Sequence, residues 1–544
     1  MPAIRAAAML TVADQWRERV RSRPDATALR DPATTLTYAQ LDARVRRLAS
    51  ALRAVGIAPG DRIAMLSENR IEYLELELAA ALLGAIVACL NWRLADDELV
   101  HCIRLVDPRL AVVSPRHAAW LARIDHRVPR VVELGDAFER LRESGHAGGE
   151  DIDTEAVDPE AGLVILYTSG TTGLPKGALI SQRALLARTQ VFSSDYGIGA
   201  GETFVAWSPL FHMAGTDHAL ATLMLGGTVE VQDGLDLDRL CALLETEHLG
   251  WLLAMPGMIE PLVEALRAHG GPRIAPRMVG AMADLVPRHQ IAELTRLLGA
   301  PYLNSFGSTE TGLPPASAGL LAPGEVPRSL AKRQSSLCRI RLVDAQDGEV
   351  ALETPGELAV RGPTLFSGYW NAEAANAHDF RGGWFHLGDM FVRHADGTLD
   401  FVDRLKYLIK SGGENIYPAE IERVLLAHPA VADAAVVRKR DARWGEIPVA
   451  FVALKPHATA AREPADGASG APDAEALEAE AVLPADGRAA AQQHRQDPAP
   501  RARATLALNA APRPATPPRL KRRYFAFFAK SADCSFTTAS TTSP

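Results

Sequence analysis

The sequence predicts an α/β fold divided into at least two domains, and three observations lead there. Apolar stretches of strand length alternate with helical patterns through residues 63–66, 72–90 and 110–113, the rhythm of an α/β domain. From residue 355 the pattern turns strand-rich, with runs at 357–360 and 398–402. A chain of 544 residues with 47% hydrophobic content can bury a large core and exceeds the usual size of one domain.

Taken in order, the first clear element is a helix. Thr37 and Gln40 form a capping box, Leu41, Val45, Leu48 and Leu52 then fall on one face, and Gly56 stops the run. Its purpose is packing. The apolar run 78–90 is too short to span a bilayer and reads as a buried helix. No charged-then-apolar leader pattern opens the chain, so a signal peptide is not expected. Five cysteines, odd in number, scattered and without metal-ligand spacing, fit a reduced cytoplasm. The net charge of −8 gives no general attraction to nucleic acid or anionic lipid.

The richest stretch is YTSGTTGLPKG, residues 167–177, directly after the apolar strand 163–167. Gly170, Gly173 and Gly177 permit positive φ and bring backbone N–H groups toward one anion. Thr168, Ser169, Thr171 and Thr172 add hydroxyl donors, and Lys176 adds a point charge. A polar surface turn would account for the serines and threonines alone, but not for strand, glycines and lysine together. Neither a Walker loop nor a GxGxxG fingerprint is present.

Four further segments carry polar chemistry, each ordinary in isolation. His212 lies between Phe211 and Met213, where a lone histidine is usually a core residue. NSFGSTETG, residues 304–312, could be a helix entrance capped by Ser308 or Thr309. Gly388 and Asp389 in WFHLGDM read as a turn. Arg404 and Lys406 alone would be a solvated charged face, and Pro418 sits well at the first turn of a helix bearing Ile421, Val424 and Leu425.

In this order, from about Leu36 to about Pro456, these motifs resemble the adenylate-forming (AMP-binding) superfamily, of the acyl-CoA synthetase type. The resemblance implies a large N-terminal α/β domain with layered sheets over residues 1–402 and a small mobile α+β C-terminal domain starting at 403. It also implies ATP, Mg²⁺ and CoA. By resemblance the loop with Lys176 holds phosphate, Gly280 and Ala281 form the adenine wall, Phe306 stacks on adenine, and Asn304 and Gly307 belong to the same nucleotide-binding segment. Many relatives have tyrosine at that position, and stacking survives the change. Thr309 hydrogen-bonds phosphate, Glu310 holds Mg²⁺, and His212 closes over the carboxylate site. Asp389 suits the ribose diol, Arg404 binds ribose and phosphate, Lys406 is the hinge, Lys410 approaches the nucleotide in a second conformation, and Gly412 with Gly413 meets the pantetheine of CoA.

The resemblance implies ATP-dependent activation of a carboxylic acid to an acyl-adenylate and then to an acyl-CoA, with AMP and pyrophosphate released. The segments 211–215, 279–283 and 304–307 are mostly small or apolar, which favours a fatty or aryl acid over an amino acid. Oligomeric state is left open, a homodimer included.

After about Arg462 the chain turns rich in Ala, Pro, Arg and Asp, without periodicity, the composition of a disordered tail over 461–544. The family's TGK motif, whose lysine completes the adenylation site, does not occur there, so the C-terminal domain over 403–460 is truncated. Permissible codons for residues 492–503, read one base later, can spell SSTGKILRREL, and those from about Val482 can spell YFLPTAALPR. A frameshift near Arg462 is inferred. Two other readings follow if the lysine is truly absent or CoA is not the acceptor: an impaired nucleotide- and acyl-binding protein, or an enzyme that hands its adenylate to a carrier protein.

Overall fold

The computed structural model describes residues 4, 7–146, 157–168, 174–411, 414–426, 431–441, 445–454 and 481–482. They group into two compact units, one running to Ile340 and including Val360–Phe385, the other formed by Arg341–Ala359 and the described residues from His386 onward. The units therefore divide the chain elsewhere than at residue 402.

In the first unit a six-stranded sheet is ordered Val131–Glu133, Leu110–Val113, Arg62–Leu66, Ile86–Cys89, Gly162–Thr168, Lys176–Ser181. Neighbours are parallel except the last pair. Its strands are apolar without alternation because both faces are covered. A five-stranded sheet is ordered Leu249–Trp251, Thr203–Ala206, Thr228–Val231, Thr27–Arg30, Thr35–Thr37, antiparallel only at the last pair. The helix Ile71–Leu83 lies on the first sheet and Met213–Leu225 on the second, and both are buried nearly all round. They meet where the Thr216 hydroxyl donates to Glu77 Oε1 at 3.3 Å. This is the layered α/β arrangement expected.

The capping box holds: Gln40 N donates to Thr37 Oγ1 at 3.2 Å and Thr37 N to Gln40 Oε1 at 2.9 Å. Leu41, Val45, Leu48 and Leu52 are fully buried. The expected single helix over 78–90 is corrected. The helix ends at Leu83, Gly84 caps it in the left-handed conformation, and Ile86–Cys89 is a strand. A glycine inside an apolar run was the overlooked stop signal.

A four-stranded sheet, made mostly of second-unit residues, is ordered Arg339–Val343, Gly356–Arg361, Phe385–Arg393, Leu399–Arg404. A further sheet is ordered Glu414–Ile416, Ile409–Ser411, Gly445–Leu454, Val431–Asp441, with Ala481–Val482 also on Gly445–Leu454. The helix Pro418–Leu426 places Ile421 and Leu425 against Ile409, Val436 and Ala450. Val424, grouped with them by its spacing, is instead 74% exposed. The i, i+4 pair Ile421 and Leu425 packs on the sheet, and Glu422 Oε1 accepts from Val436 N at 2.7 Å.

The cysteines among the described residues, Cys89, Cys102, Cys241 and Cys338, are free thiols. No described helix is long and apolar enough to cross a membrane. The tail assigned to 461–544 lies outside the described residues apart from 481–482.

Candidate active site

The strand Gly162–Thr168 delivers the hydroxyl- and glycine-rich loop, and Lys176–Ser181 carries the chain back with Lys176 opposite Thr168. Ser169, Gly170, Thr171, Thr172 and Gly173 lie outside the described residues. Gly177 is corrected: it is a strand residue rather than a positive-φ turn residue. A Cβ there would lie 2.9 Å from Ile165 Cγ2, which is why the position is glycine. Tyr167 donates to the Cys102 carbonyl at 2.9 Å, tying the loop's entry strand to the neighbouring helix.

NSFGSTETG forms a β-hairpin, not a helix entrance. Gly307–Ser308 pairs with Gly312–Pro315, and Ser308 N donates to Thr311 Oγ1 at 3.0 Å across the turn. Thr309 and Glu310 sit at its tip, half-buried. Arg188, 2% exposed, holds that tip from beneath: Nη2 donates to the Thr309 carbonyl at 3.1 Å, Nε to the Thr364 carbonyl at 3.0 Å, and Nη1 to Asp217 Oδ2 at 2.8 Å. Burial raises the Asp217 carboxyl, and the Arg188 guanidinium opposes that rise.

The segment Ser367 to Trp370 runs along the edge strand Lys176–Ser181, with Leu179 N on the Gly368 carbonyl at 3.0 Å and Trp370 N on the Gly177 carbonyl at 2.8 Å. It brings Tyr369 between two motif residues. The Tyr369 hydroxyl donates to Glu310 Oε1 at 2.7 Å, and Lys176 Nζ stands 3.9 Å from the Tyr369 ring centroid and 3.7 Å from Asp379 Oδ2. Sequence reasoning passed over both Arg188 and Tyr369.

Gly280 has φ +87°, and a Cβ there would lie 2.2 Å from the Tyr302 ring. Trp251 Nε1 donates to the Gly280 carbonyl and Tyr302 to the Ala281 carbonyl, each at 2.8 Å. Met282 N donates to Ser305 Oγ at 2.9 Å, so this wall is fastened to the strand leading to half-buried Phe306. Asn304 is buried and directs its side chain away into structure: Oδ1 accepts from Lys332 Nζ at 2.6 Å, and Nδ2 donates to the Leu330 carbonyl at 2.8 Å. Lys332 is fully buried and also pairs with Asp284 at 2.6 Å.

His212 is the N-cap of the helix Met213–Leu225, its Nδ1 accepting from Ala214 N at 3.2 Å. It is half-buried rather than a core residue. Burial, and then the Arg93 guanidinium, lower its pKa to about 4, so the imidazole is neutral at pH 7. With Nδ1 accepting, the proton is assigned to Nε2. Arg93 lies 4.9 Å from the Trp92 ring and 5.9 Å from that of Phe211, and those two rings meet edge-on at 5.9 Å.

In the second unit Asp389 and Arg404 are cross-strand partners, with Arg404 Nε 3.1 Å from Asp389 Oδ1. Glu357 Oε1 accepts from Gly388 N at 3.2 Å, fixing the turn before Asp389. Asp403 accepts from Arg404 N at 2.6 Å and from Ala419 N at 2.8 Å, capping the helix Pro418–Leu426. Lys406 follows in a single helical turn, its carbonyl accepting from Arg438 at 2.8 Å. Lys410 is exposed in the strand Ile409–Ser411. Gly412 and Gly413 lie outside the described residues.

Residues 16–370 match the AMP-binding enzyme family, and residues 420–482 match the AMP-binding enzyme C-terminal domain. Similarity thus extends past both ends of the span from Leu36 to Pro456. Indoleacetate–CoA ligase of Aromatoleum aromaticum is 37% identical over 452 residues, covering 80% of this chain and 87% of that protein. Feruloyl-CoA synthase of an Amycolatopsis species is 34% identical over 448 residues, with 80% and 87% covered. Among solved structures, o-succinylbenzoate CoA synthetase of Bacillus subtilis, in complex with its acyl-adenylate intermediate, superposes with TM-score 0.70 at 26% identity, covering 82% of this chain and 89% of that one.

Proposed function

The chain belongs to the AMP-binding enzyme family, and on that premise we propose that it is an AMP-forming acid–CoA ligase acting on an aryl or aliphatic carboxylic acid. The observation that carries this reading is the meeting of the Lys176 stem and the Thr309–Glu310 hairpin on one side chain, Tyr369. A cation and a carboxylate thus share one neighbour, which supports a phosphate role for the loop that Lys176 follows.

In the first half-reaction the acid's carboxylate oxygen attacks the α-phosphorus of ATP, and pyrophosphate leaves. Lys176 and the Thr168 hydroxyl hold the phosphates, Phe306 stacks on adenine against the Gly280–Ala281 wall, and Thr309 donates to phosphate. Neutral His212 offers Nε2–H to the substrate carboxylate without presenting a full charge. Mg²⁺ fits the residues present. Glu310 supplies one carboxylate, one oxygen of which Tyr369 already engages, and no described cluster of three His, Cys, Asp or Glu forms a cage. One protein carboxylate plus substrate phosphates is a donor set this cation accepts. When bound it neutralises phosphate charge.

In the second half-reaction the CoA thiol attacks the acyl carbon and AMP leaves. Asp389 and Arg404 serve the ribose and phosphate, and rotation about Lys406 brings Lys410 toward the nucleotide and the Gly412–Gly413 loop to CoA, one gating motion for two chemistries. Residues 1–402 are taken as the adenylation portion, 403–460 as the mobile portion and 461–544 as a frameshifted tail. The cytoplasm is the proposed compartment.

For substrate class, Trp92 and Phe211 beside His212 add aromatic surface to the apolar segments. Two of the relatives above are named for aryl acids. The test is acid-dependent pyrophosphate release, then thioester formation, across aryl acids, aliphatic acids and amino acids with the reading frame repaired. Response to aryl or aliphatic acids supports the proposal, and response to amino acids alone overturns it.

A further inference from the structure

We propose that Tyr369 is a positioning residue that sets Glu310 and Lys176 at a common spacing at the phosphate end of the site, an inference that rests on the nucleotide-site reading above. Its hydroxyl donates to Glu310 Oε1 at 2.7 Å, which orients the carboxylate. Its ring lies 3.9 Å from the Lys176 ammonium, within range of a cation–π contact. One side chain thereby touches the group assigned to the metal and the group assigned to phosphate.

The ring itself is fixed from several sides. Tyr369 N donates to Asn376 Oδ1 at 2.7 Å, and Asn376 Nδ2 returns a bond to the Tyr369 carbonyl at 2.8 Å. Residue 369 is bridged to Ala178, two positions after Lys176, so ring and lysine share one piece of sheet. Phe366 packs edge-on against the ring at 4.8 Å, while its own N donates to the Glu310 carbonyl at 2.8 Å. The 366–369 segment thus holds Glu310 by backbone and side chain together. Tyr369 is 7% exposed, so the phenol does not swing freely into solvent. The hydroxyl acts on the carboxylate and the ring acts on the ammonium, which makes the two roles separable by substitution.

Calorimetry of the full chain with ATP, in Mg²⁺ and in EDTA, tests the proposal alongside thermal melting. Tyr369→Phe keeps the ring and removes the hydroxyl. It is expected to weaken ATP binding in Mg²⁺ by about 5- to 10-fold, to leave binding in EDTA within about 2-fold, and to melt near the unaltered protein. Tyr369→Leu removes both contacts and is expected to weaken binding in EDTA as well. In Glu310→Gln, adding Tyr369→Phe is expected to produce no further Mg²⁺-specific loss. Equal weakening in Mg²⁺ and EDTA with lowered melting, or no change in Tyr369→Phe, overturns the positioning role. Absence of ATP binding by the unaltered chain overturns the nucleotide site and this proposal together, whereas a binding chain indifferent to Tyr369→Phe rejects this proposal alone.

Discussion

Arg188 and Thr309 are joined by a 3.1 Å hydrogen bond from guanidinium Nη2 to the peptide carbonyl, across 121 positions of sequence. The helix that follows the strand Lys176–Ser181 therefore supports the hairpin tip that carries Glu310. Asp217 balances the guanidinium, and both side chains are 2% exposed.

Breaking that pair from one side leaves a buried charge. Arg188→Met is expected to cost about 3–5 kcal/mol, as for other buried pairs stripped of one partner. Arg188→Met with Asp217→Leu should recover much of the loss. Urea unfolding of both variants checks this, and a double variant no more stable than the single would show that the damage comes from the lost carbonyl contacts.

His212 gives a stability prediction with a definite sign. Its pKa is about 4 in the folded chain and near 6.5 when unfolded, so between those values the unfolded state binds the extra proton. Its contribution is absent above pH 6.5, grows as a destabilisation as pH falls toward 4, and then levels off. His212→Asn keeps an acceptor at the N-cap and removes the titration. As pH falls through that window, the stability difference between the two proteins should shift in favour of the His212→Asn variant. A constant difference from pH 7 to 4 would refute the assignment.

Gly280→Ala places a methyl 2.2 Å from the Tyr302 ring at φ +87°. Overpacking and left-handed strain together should cost at least about 2 kcal/mol. AMP affinity should fall with it, because the wall is displaced. Normal melting and normal AMP binding in this variant would remove Gly280 from the site.

The inferred frameshift makes a genetic and a kinetic prediction. Sequencing across codon 462 should show a reading frame that restores the TGK motif. Repairing the frame should raise adenylation by at least about 10²- to 10³-fold, the usual effect of one donor aimed at developing charge. Thioester formation from supplied acyl-adenylate should rise less. Equal adenylation rates before and after repair would show that the lysine is dispensable here.

Local signals were legible in the sequence and long-range ones were not. Thr37 and Gln40 announce their helix because both partners of the capping box lie within one turn. The strand Gly162–Thr168 is apolar and ends in glycines, so it too could be read directly. Nothing near Arg188 in sequence signals its role, since its acceptors come from residues 217, 309 and 364. Lys332, in AKRQSS, looks like a solvated charge, yet Asp284 and Asn304 bury it completely. Tyr369 carries no motif that reports a partner 59 positions away. Helix-forming composition in 78–90 outweighed the glycine that ends the helix.

The pairing of the 367–370 segment with Lys176–Ser181 has a consequence for the newly made chain. Until that segment emerges, about 190 residues after Leu179, the strand is an open sheet margin. At synthesis rates of about 5–20 residues per second the delay is roughly 10–40 s. An unpaired margin of that kind invites association with other chains. Ribosome-bound intermediates stalled between these points should therefore be the aggregation-prone and chaperone-dependent ones, and release of the segment should end that dependence as the strand gains its partner.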